Sequence, residues 1–401
     1  MKTITIILAL FLFQQAASQK GTDPYLEARA LMQKEQFDAA VALLHQAVEK
    51  QPGNLDYIFQ RGVCFFNLKQ YDQALSDFLH VNKRTTGKGA LMLAKTEARL
   101  HHPELAMKYL REHLGSYYKL PEKEILLDKD LDLLSETPGW NALWKEREWY
   151  SEDDRKLQEA EYLKKNGDYL EAINLLRELD GKGFKRSAVN QNLAEIYTIL
   201  NNPKAAEDAL DKALSVSPGN PEALKMRIDL SIASENYGQA VKDCNILLRQ
   251  APETFDYYLV SGRLYSKLDN YERALEQVSL YLDLFPDSAP AMNVLGTIHY
   301  QEGKYLDALR TFNQLIEMEK GEPEYFFNRG KTYAAAHTYT YAARDFSMAL
   351  DLDPKNPDTW FEKGLAELEL DDLKSACFSF RKAFQYGKYE ASEYLNKYCN
   401  H

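Results

Sequence analysis

Alanine recurs at a fixed spacing along most of this chain. Seven alanines follow one another at steps of 34 residues, namely Ala172, Ala206, Ala240, Ala274, Ala308, Ala342 and Ala376. Ala40 and Ala74 repeat the step near the N-terminus, and the less regular Ala106 follows them. Self-similarity at one period indicates an array of equivalent units, each of which buries its apolar face only against its neighbours. The spacing therefore constrains the fold before any single helix is assigned.

The residues around these alanines keep the same period. With the alanine as position 20, units begin at residues 21, 55, 153, 187, 221, 255, 289, 323 and 357. Position 8 is small except at Ile228, and its glycines are Gly62, Gly262, Gly296, Gly330 and Gly364. Position 24 is mostly Leu or Phe, and position 32 is often proline, which helps to end a helix because it lacks the backbone N–H. The pattern predicts two antiparallel helices per unit, A and B, joined by a turn near positions 15 to 17.

The motif resembles the tetratricopeptide repeat family. The family pattern of Trp, Leu-Gly, Tyr, Ala, Phe, Ala and Pro is nearly complete in one unit as Tyr258, Ser261-Gly262, Tyr265, Ala274, Tyr281 and Pro286. The last unit repeats it as Trp360, Gly364, Ala376, Phe380 and Ala383. The resemblance covers roughly residues 21–112 and 153–388. It implies an all-α, right-handed superhelical solenoid of antiparallel helix pairs that binds proteins and has no catalytic role.

The repeat frame predicts how the chain is divided. We expect a signal peptide at 1–18, an N-terminal block of about three repeats at 21–114, a helical joint without the motif at 115–152, a C-terminal block of seven repeats at 153–388, and a capping helix within 389–401. The joint carries Trp140, Trp144 and Trp149. Because Trp140 and Trp144 lie four residues apart, they share one helix face, and we expect them to pack at the seam between the blocks. A partner-binding site is the alternative.

The N-terminus has the pattern of an export signal. Lys2 precedes a short apolar run at 4–13, and the small residues Ala16, Ala17 and Ser18 follow it. The run is too short to span a bilayer, so we expect cleavage after Ser18, with an uncleaved anchor as the alternative. The chain also has no N-x-S/T acceptor sites. We therefore expect an exported protein, in a bacterial periplasm by preference and otherwise secreted or luminal.

Charge and motifs exclude several function classes. The formal net charge is −11, which argues against binding to nucleic acid or to an anionic membrane surface. The chain contains no HExxH, GxSxG, GxxxxGK[ST] or GxGxxG motif, so the commonest metal, nucleophile and phosphate-binding signatures are missing. We expect no enzymatic activity, no cofactor and no metal.

The four cysteines are widely separated. They are Cys64, Cys244, Cys377 and Cys399, and such sparse use shows that the fold does not depend on a disulfide framework. Cys244 stands at core position 24, where cysteine behaves as a small apolar residue. Only Cys377 and Cys399 fall in neighbouring predicted helices. We favour two free thiols there, with a disulfide as the alternative.

The family resemblance also implies where a partner would bind. In this family helix A lines the concave side of the array, chiefly through positions 2, 5, 6, 9 and 12. The residues predicted from these positions are Phe59, Gln60, Phe66, Leu259, Arg263, Asn293, Tyr300, Phe327, Asn328, Lys331 and Phe361. Aromatic rings mixed with amides suit an extended peptide or a partner helix. Ordinary packing between repeats is the alternative, above all for Phe59 and Phe327.

One known binding mode of the family is absent from the sequence. Some members hold a terminal carboxylate with a clamp of Lys, Asn and Arg on three successive A helices. In the block that begins at 289 the corresponding residues are Asn293, Thr297, Asn328, Asp358 and Glu362. Carboxylates stand where the last two cations would be, and they would repel such a ligand.

The sequence thus predicts a non-catalytic scaffold or adaptor that binds a peptide segment or a partner helix on the concave surface. Two alternatives remain open. One is a structural spacer or assembly factor of a cell-envelope complex that uses the convex face or the ends of the array. The other is a regulatory subunit of an envelope enzyme.

Overall fold

A computed structural model of the chain describes residues 23–146 and 149–399, and all 24 regular elements in this part are α-helices. The predicted signal peptide at 1–18 lies outside the described residues. Across the described part, the helices are all too short or too polar to span a membrane. The predicted all-helical fold of stacked helix pairs is confirmed.

The helices follow one another in the predicted pairs. The first three pairs are α1 (Pro24–Gln33) and α2 (Phe37–Lys50), α3 (Leu55–Asn67) and α4 (Tyr71–Arg84), and α5 (Ala90–Arg99) and α6 (Pro103–Leu114). The joint contains α7 (Glu122–Leu126), α8 (Asp132–Ser135) and α9 (Pro138–Glu146). The next pairs are α10 (Glu152–Asn166) and α11 (Tyr169–Gly181), α12 (Arg186–Ile199) and α13 (Pro203–Val216), and α14 (Pro221–Ala233) and α15 (Tyr237–Gln250). The last are α16 (Asp256–Lys267) and α17 (Tyr271–Leu284), α18 (Ala289–Gln301) and α19 (Tyr305–Met318), α20 (Pro323–Ala335) and α21 (Tyr339–Leu352), and α22 (Pro357–Glu369) and α23 (Leu373–Gln385), followed by α24 (Ala391–Tyr398).

The repeats are grouped into two larger compact units, whose boundary falls within α14 and α15. One unit extends to Leu230 and includes residues 249–253, and the other contains residues 231–248 and 254 onwards. The groove described below lies entirely in the second unit.

Helix A and helix B of a repeat approach closely at positions 8 and 24. A Cβ atom added to Gly330 would lie 2.8 Å from Cε1 of Phe346, and one added to Gly296 would lie 2.7 Å from Cε1 of Phe312. The same contact joins Gly62 to Phe78 and Gly364 to Phe380. All nine alanines at position 20 are fully buried. Glycine at position 8 therefore makes room for the ring at position 24.

The turn between the two helices has a left-handed residue at position 15. In seven repeats this residue is not glycine and has φ between 54° and 60°, namely Glu35, Lys69, Asn201, Glu235, Asp269, His337 and Asp371. Gly167 and Gly303 occupy the same place in two other repeats. Only glycine adopts this backbone region without steric cost, so most of the turns carry some strain.

Two repeats contain a buried ion pair that the sequence analysis did not predict. In the first unit, Arg61 donates from Nε and Nη2 to the two carboxylate oxygens of Asp77, at 2.8 and 2.7 Å. In the second unit, Arg329 makes the same fork to Asp345, at 2.6 and 2.7 Å. Both pairs join position 7 of helix A to position 23 of helix B. Two parallel hydrogen bonds between a guanidinium and a carboxylate are strong and directional. Each ion pair therefore helps to fix the angle between helices A and B of its repeat.

The joint has a core of its own. Trp140 and Leu143 are buried there together with residues of α5 and α6, and Trp144 and Trp149 pack against the same cluster. The Trp149 indole N–H donates to the Leu143 carbonyl at 2.8 Å. These contacts support the packing interpretation of the tryptophans.

A histidine of α6 is also buried in this region. His113 is 2% exposed, and its Nε2 accepts the Leu120 backbone N–H at 3.2 Å. Burial, reinforced by the charge of Lys95, lowers the pKa of His113 to about 4. The side chain is therefore neutral over most of the pH range in which proteins are folded.

Our preference for two free C-terminal thiols is wrong. Cys377 of α23 and Cys399, which follows α24, form a disulfide with an Sγ–Sγ distance of 2.01 Å. The reason lies in the capping helix, which folds back over the last repeat and stacks Tyr394 on Phe380 at 4.9 Å between ring centroids. That packing brings Cys399 to Cys377. Cys64 and Cys244 are buried and form no disulfide among the described residues.

Candidate functional site

Three adjoining cavities follow the A helices of the second unit. The first, of about 460 Å³, is lined by α16 and α18 and reaches Glu324 of α20. The second, of about 80 Å³, shares Thr297 and Gln301 with the first. The third, of about 420 Å³ between α20 and α22, shares Glu324 with the first and Lys331 with the second. Together they form one continuous groove, which we call the helix-A groove.

Amide side chains make a hydrogen-bonded chain across the middle of this groove. The Asn328 side-chain amide donates to Asn293 Oδ1 at 2.9 Å. The Asn293 amide in turn donates to Glu324 Oε1, also at 2.9 Å. Asn293 is only 7% exposed. This residue therefore orients its neighbours rather than offering a free donor, whereas Asn328 is half-buried and keeps part of its surface open.

Aromatic rings and a lysine form the next part of the groove. The Lys331 ammonium lies 5.4 Å from the ring centroid of Tyr300 and 5.7 Å from that of Phe327. At such distances a cation is attracted to the ring face. Burial, together with the nearby charge of Glu362, raises the pKa of Tyr300, so the phenol keeps its proton and can donate a hydrogen bond.

The end of the groove at α22 is acidic. Asp358 and Glu362 lie one helical turn apart on α22 and line the third cavity with Glu324. Burial raises the pKa of Glu362, against the opposing charges of Lys331 and Lys388. The Lys388 ammonium lies 2.9 Å from Asp358 Oδ1 and 3.1 Å from a carboxylate oxygen of Glu390.

The remaining predicted residues of the second unit differ in exposure. Arg263 is exposed and lines the first cavity. Leu259 is 8% exposed and belongs to the core. Phe361 is half-buried, with its ring 5.8 Å from that of Phe380 and 5.4 Å from that of Tyr394. Leu259 and Phe361 therefore have a packing role.

The predicted residues of the first unit also make packing contacts. The ring of Phe59 lies 5.4 Å from that of Phe78, and the ring of Phe66 lies 5.7 Å from that of Tyr71. Gln60 is half-buried. In the second unit Phe327 makes an equivalent contact with Phe346 at 5.9 Å. A ring at position 5 thus rests on the ring at position 24 of its own repeat and exposes only part of its surface.

The sequence analysis missed several residues in the groove or beside it. Glu324 occupies position 2, one of the positions already assigned to the concave side, so the same periodicity could have found it. Gln301 lies at position 13, and its Oε1 accepts a hydrogen bond from the Ser266 hydroxyl. Lys388 stands at position 32 of the last repeat, a position that was not assigned to the concave side.

The groove offers hydrogen-bond donors and acceptors, ring faces and charges along an open surface. Such a surface suits recognition of an extended segment of another molecule. Stacked helix pairs that share a surface of this type define a helical-repeat protein.

Two profiles described as "Tetratricopeptide repeat" match the chain. One matches residues 25–80, 226–289, 259–323 and 293–357, and the other matches residues 187–220. Together they cover more than half of the chain, so this protein belongs to the tetratricopeptide repeat family. Proteins of this family generally take part in protein–protein interactions, bind protein or peptide partners, and are typically non-catalytic.

Several solved structures are similar to this chain. A tetratricopeptide repeat protein from Parabacteroides merdae is 22% identical and aligns over 61% of this chain and 97% of its own, with a TM-score of 0.53. The yeast Tom70 structure is 14% identical over 93% of this chain and 94% of its own, with a TM-score of 0.40. The Cut9–Hcn1 hetero-tetramer of the APC/C is 13% identical over 99% of both chains, with a TM-score of 0.45. No curated protein sequence gives a significant match.

Proposed function

We propose that this protein is an exported, non-catalytic scaffold that binds an extended peptide segment or a helix of a partner protein in the helix-A groove. The observation that carries the proposal is the continuity of the three cavities from α16 to α22. Ring faces at Tyr300 and Phe327 supply contact area, and Asn328 and Thr297 supply polar groups that can satisfy a peptide backbone.

Two features support export. The first 18 residues have the order of positive charge, apolar run and small residues that signal peptides share,. The disulfide between Cys377 and Cys399 would persist in an oxidising compartment such as the bacterial periplasm. Sequencing the N-terminus of the protein from the envelope fraction tests this point. A chain that starts at Gln19 is expected, and a chain that retains Met1 and is recovered from the cytoplasm would contradict export.

Site-specific crosslinking tests the binding surface. A photoreactive amino acid in place of Tyr300, inside the groove, is expected to crosslink one protein partner in the native compartment. The matched control carries the same group in place of Leu306, which lies on helix B of the same repeat and is 72% exposed. Crosslinking from Leu306 alone would favour the convex face and with it a structural spacer. An excess of unlabelled wild-type chain should suppress the crosslink from position 300, whereas an unlabelled chain that carries both Asn328→Ala and Tyr300→Ala should leave it unchanged.

A further inference from the structure

We propose that the acidic end of the helix-A groove holds the cationic side chain of a lysine or arginine from the bound peptide. The acidic end consists of Glu324, Asp358 and Glu362. This inference rests on the function proposed above and adds the chemistry of the partner.

The shape of the acidic end suits a long side chain with a charged tip. Its cavity of about 420 Å³ lies between α20 and α22 and is open to solvent on one side. Phe327 and Pro323 provide an apolar wall, against which the methylene groups of lysine or arginine can pack. Asp358 and Glu362 are four residues apart on α22, so their carboxylates share one helix face.

The charge of the cavity is not balanced by its own lining. Its three carboxylates face a single lining cation, Lys331. The Lys331 ammonium is placed over the rings of Tyr300 and Phe327. Lys388 lies next to the cavity, but it divides its charge between Asp358 and Glu390. The acidic end is therefore complementary to an additional positive charge.

Of the three carboxylates, that of Glu362 would be stabilised most by a bound cation. In the part of the chain that the structure describes, its carboxylate neither accepts a hydrogen bond nor joins an ion pair, although it is half-buried. A carboxylate withdrawn from water without a partner is costly, as its raised pKa shows,. An ammonium or guanidinium group close to Glu362 would remove that cost, and a second carboxylate would increase it.

The opposite end of the groove has the opposite charge. Arg263 and Lys267 of α16 line the first cavity. A uniformly basic peptide would therefore be repelled at α16 while it is attracted at α22. The groove therefore favours a peptide segment with one basic residue, placed at the end of the segment that contacts α22.

Peptide selection tests the proposal directly. A randomised library of short peptides displayed on phage is selected against the immobilised full-length protein, and the enriched peptides are synthesised with a fluorescent label. Their affinities are measured by anisotropy for the wild type and for Glu362→Gln, which removes the charge and keeps the shape. The matched control is Glu276→Gln, an exposed carboxylate on helix B of another repeat in the same unit. Tyr300→Ala reports whether a peptide lies in the groove, and thermal melts show that each variant is folded.

The expected result is a lysine or arginine at one fixed place in the enriched peptides. Their affinity should fall about tenfold in Glu362→Gln, as for the loss of one charged hydrogen bond, and should not change in Glu276→Gln. Glu362→Lys should reverse the preference and bind a peptide whose basic residue is replaced by Glu. Peptides that need Tyr300 but have no basic residue, or that bind Glu362→Gln normally, would overturn the inference and leave the scaffold function intact. Failure to select any peptide that depends on Tyr300 would overturn both.

Discussion

The contact between positions 8 and 24 predicts strong energetic coupling between two residues of one repeat. Gly330 of α20 lies against Phe346 of α21, and a Cβ on Gly330 would lie 2.8 and 2.9 Å from Cε1 and Cδ1 of that ring. The first repeat fills the same two positions with Ala28 and Leu44, which share one core cluster. A larger residue at position 8 thus occurs with a smaller one at position 24.

The expected free energies follow from this geometry. Gly330→Ala gains about 1 kcal/mol in helix propensity but forces the ring of Phe346 to move, and such overpacking costs about 1–3 kcal/mol. The net effect is a loss of up to about 2 kcal/mol. Phe346→Leu alone leaves a cavity beside Gly330 and costs about 1 kcal/mol or more. In the double variant the added methyl group fills that cavity, so the coupling energy should be about 1–3 kcal/mol in favour of the pair.

The assay must be local because repeat arrays can unfold in parts. Native-state hydrogen exchange of the amides in α20 and α21 gives the free energy of opening for this repeat. Gly238→Ala is the matched control, since a Cβ at Gly238 would meet no atom within 4 Å, and it should not destabilise α15. A coupling energy within about 0.5 kcal/mol of zero would refute the reasoning, because independent sites add within that margin.

Three further predictions concern stability. The protonated form of His113 is disfavoured in the folded protein, with a pKa of about 4 against 6.5 for an ordinary histidine, so stability should fall by about 3 kcal/mol as the pH decreases from 6.5 to 4. Urea titrations should show that His113→Gln loses this slope and that the exposed control His80→Gln keeps it. At the left-handed turns, Asp371→Gly should stabilise by about 0.5–1 kcal/mol. Gly303→Ala should destabilise by a similar amount through backbone strain alone, since the new Cβ would meet no neighbouring atom,. Unchanged opening free energies in hydrogen exchange of the adjoining helices would contradict the strain argument. A reductant should speed hydrogen exchange in α24 of the wild type, and it should have no effect on Cys399→Ser, in which exchange is already fast.

The period of the sequence predicted the fold because the residues that set it recur in nearly every repeat. Gly330 and Ala342 have counterparts at the same positions throughout the array, and both are buried where helices A and B meet. The turn near positions 15 to 17 was also predicted. The left-handed backbone at position 15, as in His337, was not predicted, since the residue types there vary and include Glu35 and Lys69, which do not favour this conformation,.

Contacts that occur in few repeats could not be found in this way. The fork from Arg329 to Asp345 recurs with Arg61 and Asp77, and Arg227 and Asp243 stand at the same two positions of a third repeat. Most repeats lack this combination, so it does not stand out in the sequence as the alanines do. The Cys377–Cys399 disulfide depends on how α24 folds back, which is a property of tertiary packing. For the groove, some of the residues predicted from the repeat positions line its cavities, namely Arg263, Asn293, Tyr300, Phe327, Asn328 and Lys331. The sequence could not predict that Asn293 is satisfied by its neighbours.

In each repeat, the helix-A positions that pack against helix B differ from those that line the groove. Stability and partner binding therefore depend on different residues. On α22 the ring of Phe361 packs on Phe380 and Gly364 approaches the same ring. Asp358 and Glu362 lie on the same helix but line the groove, and the side chain of Asp358 is 60% exposed. Substitutions that exchange charge at groove positions leave the contact between positions 8 and 24 intact. Glu362→Gln should therefore lower the affinity for a basic peptide without disturbing this contact, and it should raise the melting temperature slightly because the amide removes the cost of the half-buried carboxylate charge,.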